Sequence, residues 1–203
     1  MADAEQELPG PDSTVRGQDW YARDLAGGEI TRVEFIDVDM TEATSTSVTF
    51  TECVFRNVKF NVSVHTDSAF VNCTFANCSF FDATFTRCKV SGSTFNSCTF
   101  DILKVDGGNW AFTDLSGADL SGTNFTGVRL READLAGAKF VGAVLTSCDL
   151  SGATLHRVDL TDCDLRGSDL SSLDPISTIV RGAVITTHQA EVLVGTLGLH
   201  VRE

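Results

Sequence analysis

The chain has 203 residues, 42% of them hydrophobic, and a formal net charge of −13. That length suits one domain around a continuous core. The charge argues against bare nucleic acid or anionic lipid as a partner and favours a basic surface. No stretch approaches the ~18 apolar residues of a membrane-spanning helix.

The first 17 residues, MADAEQELPGPDSTVRG, are acidic and polar and contain Pro9 and Pro11. Such a segment is expected to be a disordered tail. It lacks the basic and then apolar order of a secretion signal, so a cytoplasmic protein is expected.

From residue 18 to residue 185 the chain repeats every five residues, a period that belongs to neither a helix nor a plain strand. A large apolar residue stands at almost every multiple of five, as at Phe70, Phe75, Phe80, Phe85, Trp110, Leu120, Leu135 and Leu150. Only Ser45, His65 and Pro175 interrupt the run after Leu25. Twelve of the fourteen phenylalanines hold this central position, Phe81 and Phe112 being the exceptions. Two residues earlier stands a small residue, and all seven cysteines fall there. Residues two apart in an extended segment share a face, so both point inward while the residue between them points out. The other two positions, often Ser-Gly, Thr-Gly or Ala-Gly, supply corners. Each unit is therefore one short side and one corner, and large-to-small changes at the central position are expected to be costly.

Units such as SGADLSGTNF, READLAGAKF and TDCDLRGSDL resemble the Ala-Asp/Asn-Leu-x-x signature of the pentapeptide-repeat proteins. The resemblance implies an all-β fold: a right-handed quadrilateral parallel β-helix with four units to each twenty-residue coil. Residues 18–185 would then make about eight coils stacked at the ~4.8 Å spacing of neighbouring strands.

Within this frame several residues stand out. His65 occupies a central position with Ser45 twenty residues before it, hence directly beneath it, and a buried hydrogen-bonded pair is expected. Cys53 and Cys73 stack in the same way, as do Cys78 and Cys98. At strand spacing they are expected to be free thiols, since a disulfide prefers a closer approach. Trp110 follows Gly107 and Gly108, and Leu103 takes a usually small position, so the coil from about 101 to 112 is a candidate for distortion. No phosphate loop, nucleophile elbow, carboxylate pair or metal-ligand spacing appears beyond what the repeat produces. Neither an enzyme nor a cofactor or metal is expected.

Charge is uneven along the chain: residues 1–52 hold 12 acids and 3 bases, 53–113 hold 4 and 5, 114–174 hold 10 and 5, and 175–203 hold 2 and 2. Many of the acids stand just before a central residue, where the family signature itself has Asp or Asn.

After Pro175 the period lapses, and residues 186–203 are expected to form a cap. A short helix over about 188–197 would place Ala190, Leu193, Val194 and Leu197 on one face and stop at Gly198. Leu199 and Val201 follow with strand-like alternation. This closing segment, together with HTDSAFVNCTF at 65–75, resembles the fluoroquinolone-resistance (MfpA/Qnr-like) group of the family. That resemblance implies a homodimer joined through Leu193, Leu197, Leu199 and Val201. It also implies a DNA mimic that binds type II topoisomerase (DNA gyrase) through acids near the dimer axis: Asp149, Asp159, Asp162, Asp164 and Asp169. The chain lacks the projecting loops of the Qnr group, and an interaction scaffold with another protein partner remains the alternative.

Overall fold

The computed structural model describes residues 8–200. Every strand pairs in parallel with the strand twenty residues further on, so four consecutive units complete one coil. The four sides form four columns. The first face contains Thr14–Arg16, Glu34–Ile36, Val54–Arg56, Thr74–Ala76 and Thr94–Asn96. The third is the longest sheet, seven strands from Asp24–Ala26 to Val144–Thr146, and bridges through Asp164 and Val184 carry it two rungs further. The fourth begins with Glu29–Thr31, Thr49–Thr51 and Ala69–Val71 and continues by bridges through Lys89, Asn109, Arg129 and Asp149. The second face is joined only by bridges, from Asp19 to Thr99 and again from Asp119 to Ile179.

Local chemistry contributes to whether a side is a strand or a single bridge. In many units where Asp precedes the central residue, its carboxylate accepts the backbone N–H two residues on, as from Ser116 to Asp114 (3.0 Å) and from Thr41 to Asp39 (3.0 Å). That Asx turn bends the side just past the central residue. Thr-Phe-Thr units have no such carboxylate and extend into the three-residue strands Thr49–Thr51 and Thr84–Thr86. Corners lie in the left-handed region whether or not they are glycine, Val62 at φ 59° and Ile102 at φ 51° among them.

The core is one cluster running the length of the rod, and the expected residues Phe70, Phe75, Phe80, Phe85, Trp110, Leu120, Leu135 and Leu150 are all buried in it. Phenyl rings on successive coils stack nearly parallel: Phe35–Phe55 at 4.9 Å, Phe55–Phe75 at 4.8 Å and Phe50–Phe70 at 4.7 Å. These separations equal the strand spacing, so hydrogen bonds and ring contacts are satisfied by the same rise.

Three boundaries differ from expectation. The solenoid begins before residue 18: Thr14–Arg16 pairs with Glu34–Ile36 and buries Val15, because Ser-Thr-Val-Arg-Gly is already a complete unit. The rest of the expected tail lies partly outside the described residues. The departure near Trp110 is a gap in one ladder and not a break in register. The bridges Lys89–Asn109–Arg129 hold on the fourth face. On the second face, opposite, no backbone hydrogen bond joins 97–102 to 117–122 among the described residues. The indole enters from the fourth face and stacks on Phe95 at 5.9 Å, wider than the phenyl stacks, in the same coil as the gap. Finally, helix α1 (Thr187–Thr196) starts one residue early, with Thr186 and Gln189 closing a capping box.

Candidate functional surface

The exposed positions of the four faces carry different charges. The second face holds eight acids (Asp19, Asp39, Glu42, Asp82, Asp101, Asp119, Asp159, Asp162) against three bases (Lys59, Lys139, Arg181). The third holds Asp24, Asp67, Asp106 and Asp164 against Arg23, Arg87, Lys104 and Arg166, which balance. The first and fourth faces are each acidic by two. Excess negative charge is thus concentrated along one side of the rod.

Three of these carboxylates are held ionised. Hydrogen bonds from the hydroxyls of Thr41, Ser121 and Thr161 lower the pKa of Asp39, Asp119 and Asp159 below the usual carboxylate range. Some charge is neutralised locally, as where Lys59 meets Asp39 at 3.0 Å and Lys104 meets Asp82 at 2.6 Å. Such exposed pairs are screened and contribute little to stability.

The five acids picked from the sequence do not form one patch. Asp149 and Asp169 sit one coil apart on the fourth face, since the Asp169 N–H donates to Cys148 O. Asp159 lies on the second face, Asp162 at the following corner and Asp164 on the third. Asp164 is also gripped by the Arg166 guanidinium at 2.6 Å, which lowers its pKa. Together these five ring the C-terminal coils. The acidic excess of the second face is not visible in charge summed along the chain, because its members are spaced by the twenty-residue coil and interrupted by Lys59 and Lys139.

The other candidate residues behave structurally. His65 is buried, and its Nδ1 lies 2.7 Å from Ser45 Oγ. Its Nε2 lies 3.0 Å from Ser63 Oγ, whose own proton goes to Phe60 O at 2.7 Å. Ser45 Oγ also lies 3.1 Å from Ser68 Oγ, so each ring nitrogen meets a hydroxyl within a small buried network. Burial pushes the His65 pKa down to about 3, so the ring is neutral. All seven cysteines are free, and no cluster of metal-ligating side chains occurs among the described residues. No helix among the described residues is long and apolar enough to cross a membrane.

At the C-terminal end, Leu193 is half-buried and packs on the core, so its first role is to seal the last coil. Leu197 (48% exposed) and Leu199 (60%) face outward with Val192 and Val184. Val201 lies outside the described residues. The residue that sequence reasoning missed is Gln189, whose buried amide donates to Leu165 O (2.7 Å) and Ser168 O (2.8 Å). It supplies the donor that a further coil would give Ser168 O and adds a second bond to Leu165 O, which also accepts from Ser168 N. Its signal was the Thr-x-x-Gln capping box at 186–189.

Comparison with known families agrees with this geometry. The family model for pentapeptide repeats, in eight copies, matches residues 111–146 and 129–167. The chain is a pentapeptide-repeat solenoid. Among solved structures, the solenoid superposes on a trypsin-treated variant of QnrB1, a plasmid-mediated fluoroquinolone resistance protein, with a TM-score of 0.73 at 21% identity, covering 93% of this chain and 97% of that one. It also superposes on HetL, a pentapeptide-repeat protein involved in heterocyst differentiation regulation from the cyanobacterium Nostoc sp. strain PCC 7120. There the TM-score is 0.53 at 17% identity, with 84% of each chain covered. No curated protein sequence matches the solenoid. At these identities the likeness establishes the fold.

Proposed function

We propose that this solenoid is a non-enzymatic, cytoplasmic binding protein that docks, as a homodimer, on the basic DNA-binding surface of a type II topoisomerase, with its second face as the main contact. The observation that carries this reading is the eight-to-three excess of acids along that face. A rigid rod with an excess of fixed anions along one side offers a cation-lined groove some of what a duplex offers. The structural likeness to QnrB1, a fluoroquinolone resistance protein, supports the same reading, as does the resemblance of the closing segment to that group. Resistance or self-immunity would follow from occupying the enzyme in place of DNA.

The test is a supercoiling assay with purified protein. Inhibition of the enzyme, or its protection from a fluoroquinolone, is expected and should fade as added salt shortens the ~8 Å physiological screening length. Asp119→Lys with Asp159→Lys should abolish the effect, while Asp24→Lys on the balanced third face should not. No effect from a dimeric sample would refute the reading. A second reading, a scaffold for another protein, draws on the likeness to HetL, where the same fold accompanies a different biological setting.

A further inference from the structure

One groove departs from the acidic character of the rest of the rod. It runs along the corner between the third and fourth faces, has a volume of about 450 Å³, and is bordered by Arg87, Lys89, Asn109, Arg129, Ser147 and Asp149. The corner at Gly127 carries no side chain, and this opens it. Gly108 deepens it: at φ 91° its backbone passes so close to Cys88 that a Cβ would sit 2.2 Å from Cys88 O, so no other residue fits there. The size is that of a site for a small molecule, not for a lone ion.

The wall on the fourth face is a column of donors. Asp is common at the position before a central residue, yet here three successive rungs read Lys89, Asn109 and Arg129. Asn109 keeps the turn bond that Asp would make, its Oδ1 accepting from Ala111 N at 3.1 Å. Its Nδ2 is left to donate, without the negative charge. Among the described residues neither Lys89 nor Arg129 makes a side-chain hydrogen bond or ion pair. At strand spacing the Lys89 and Arg129 side chains leave the backbone ~10 Å apart with Asn109 midway, within reach of one another's heads along their flexible stems. The nearby acids offset them only in part: Asp67 and Asp106 act on Arg87, the former through a 2.7 Å ion pair, and Asp149, on the rung after Arg129, acts on that guanidinium without an ion pair and with its Oδ1 taken by Ser151.

We propose that this groove binds a phosphorylated small molecule of nucleotide size, its phosphate held by Lys89, Asn109 Nδ2 and Arg129. A tetrahedral dianion uses two cations and an amide donor at once, and charge-assisted bonds of this kind are the stronger ones. The groove faces away from the acidic second face, so this binding does not depend on the topoisomerase reading.

Calorimetric titration of the full chain with AMP and, separately, with inorganic phosphate tests this. Binding of AMP is expected, weakened by added salt. Asn109→Asp retains the turn bond but restores the carboxylate, and should weaken binding roughly tenfold or more, as expected for losing a hydrogen bond to a charged group. Lys89→Ala should do likewise, whereas Lys139→Ala on the second face should change nothing. If AMP binds more tightly than phosphate, the groove recognises the whole nucleotide; equal affinities would show a phosphate subsite alone and overturn the nucleotide-sized ligand. No binding of either by folded protein, or affinity unchanged in Asn109→Asp, would overturn the site altogether.

Discussion

Ser45 lies one coil before His65, and its hydroxyl is hydrogen-bonded to the imidazole Nδ1 across 2.7 Å. With Ser63 on the other nitrogen, the neutral ring is fully satisfied inside an aromatic column, 4.6 Å from the Phe85 ring. Protonation would place a charge in the core with only hydroxyls and aromatic rings around it.

A pH-dependent stability follows. The pKa is depressed from 6.5 in the unfolded chain to about 3 in the fold. The unfolded state therefore binds the extra proton first, and stability is complete above pH 6.5 and declines as pH falls toward 3. The slope is about 1.4 kcal/mol per pH unit. Between 6.5 and about 4.5 carboxylates contribute little, so this window isolates His65. Denaturant melts in that window should show the slope in the wild type and a smaller one in His65→Phe; equal slopes would refute the assignment.

Phe55 stacks on Phe35 and Phe75 at 4.9 and 4.8 Å and is wholly buried. Phe55→Ala should cost about 3–5 kcal/mol through the cavity left in the column. Ile102, at φ 51° and half exposed, is the opposite case. Glycine there relieves a left-handed β-branched residue, and Ile102→Gly should be neutral or stabilising by up to ~1 kcal/mol. Chemical denaturation of both variants measures the contrast.

These two cases mark what the sequence makes legible. Phe55 announces itself because burial and periodicity are the same signal, and His65 because its break in the period points twenty residues back to Ser45. The groove at Gly127 announces nothing, since a missing side chain looks like an ordinary corner glycine. The acid stripe from Asp19 to Asp162 needs the coil length as well as the pentad. The ladder gap beside Asp119, in the coil that holds the indole, is a packing outcome with no local motif.

That gap makes a prediction about thiols. Cys98 is half-buried at its edge, whereas the other six cysteines are buried. Burial pushes the Cys88 thiol up to about 11 and Cys163 to about 12. Because the thiolate is the reactive form, a thiol reagent at pH 8 should modify Cys98 first and leave the rest until unfolding. Mass spectrometry of the partly labelled protein identifies the site, and early labelling of Cys88 would contradict the packing.

Gln189 should matter more than its place in a short helix suggests. Its amide donates to two carbonyls of the last coil; Gln189→Ala removes the donor to Ser168 O in a buried setting, while Leu165 O keeps its bond from Ser168 N. A loss of about 1–3 kcal/mol is expected, concentrated in the C-terminal coils. Hydrogen exchange should show faster opening there while the coils around Phe55 keep their protection. Uniform loss across the rod would mean that the solenoid melts as a single unit and that the cap acts globally.

The proposed dimer can be separated from cap integrity, because the apolar residues of the closing segment point in two directions. Leu193 packs on the core, whereas Leu197 and Leu199 face outward. Leu197→Glu with Leu199→Glu would bury unpaired charge in a two-fold interface at a cost of about 3–5 kcal/mol. The expected result is a monomer by light scattering with unchanged secondary structure. Leu193→Glu should instead loosen the last coil, lowering the melting temperature at any protein concentration. If the double variant keeps the mass of the wild-type dimer, the contact lies elsewhere; if the wild type is itself monomeric, the outward leucines serve a different partner.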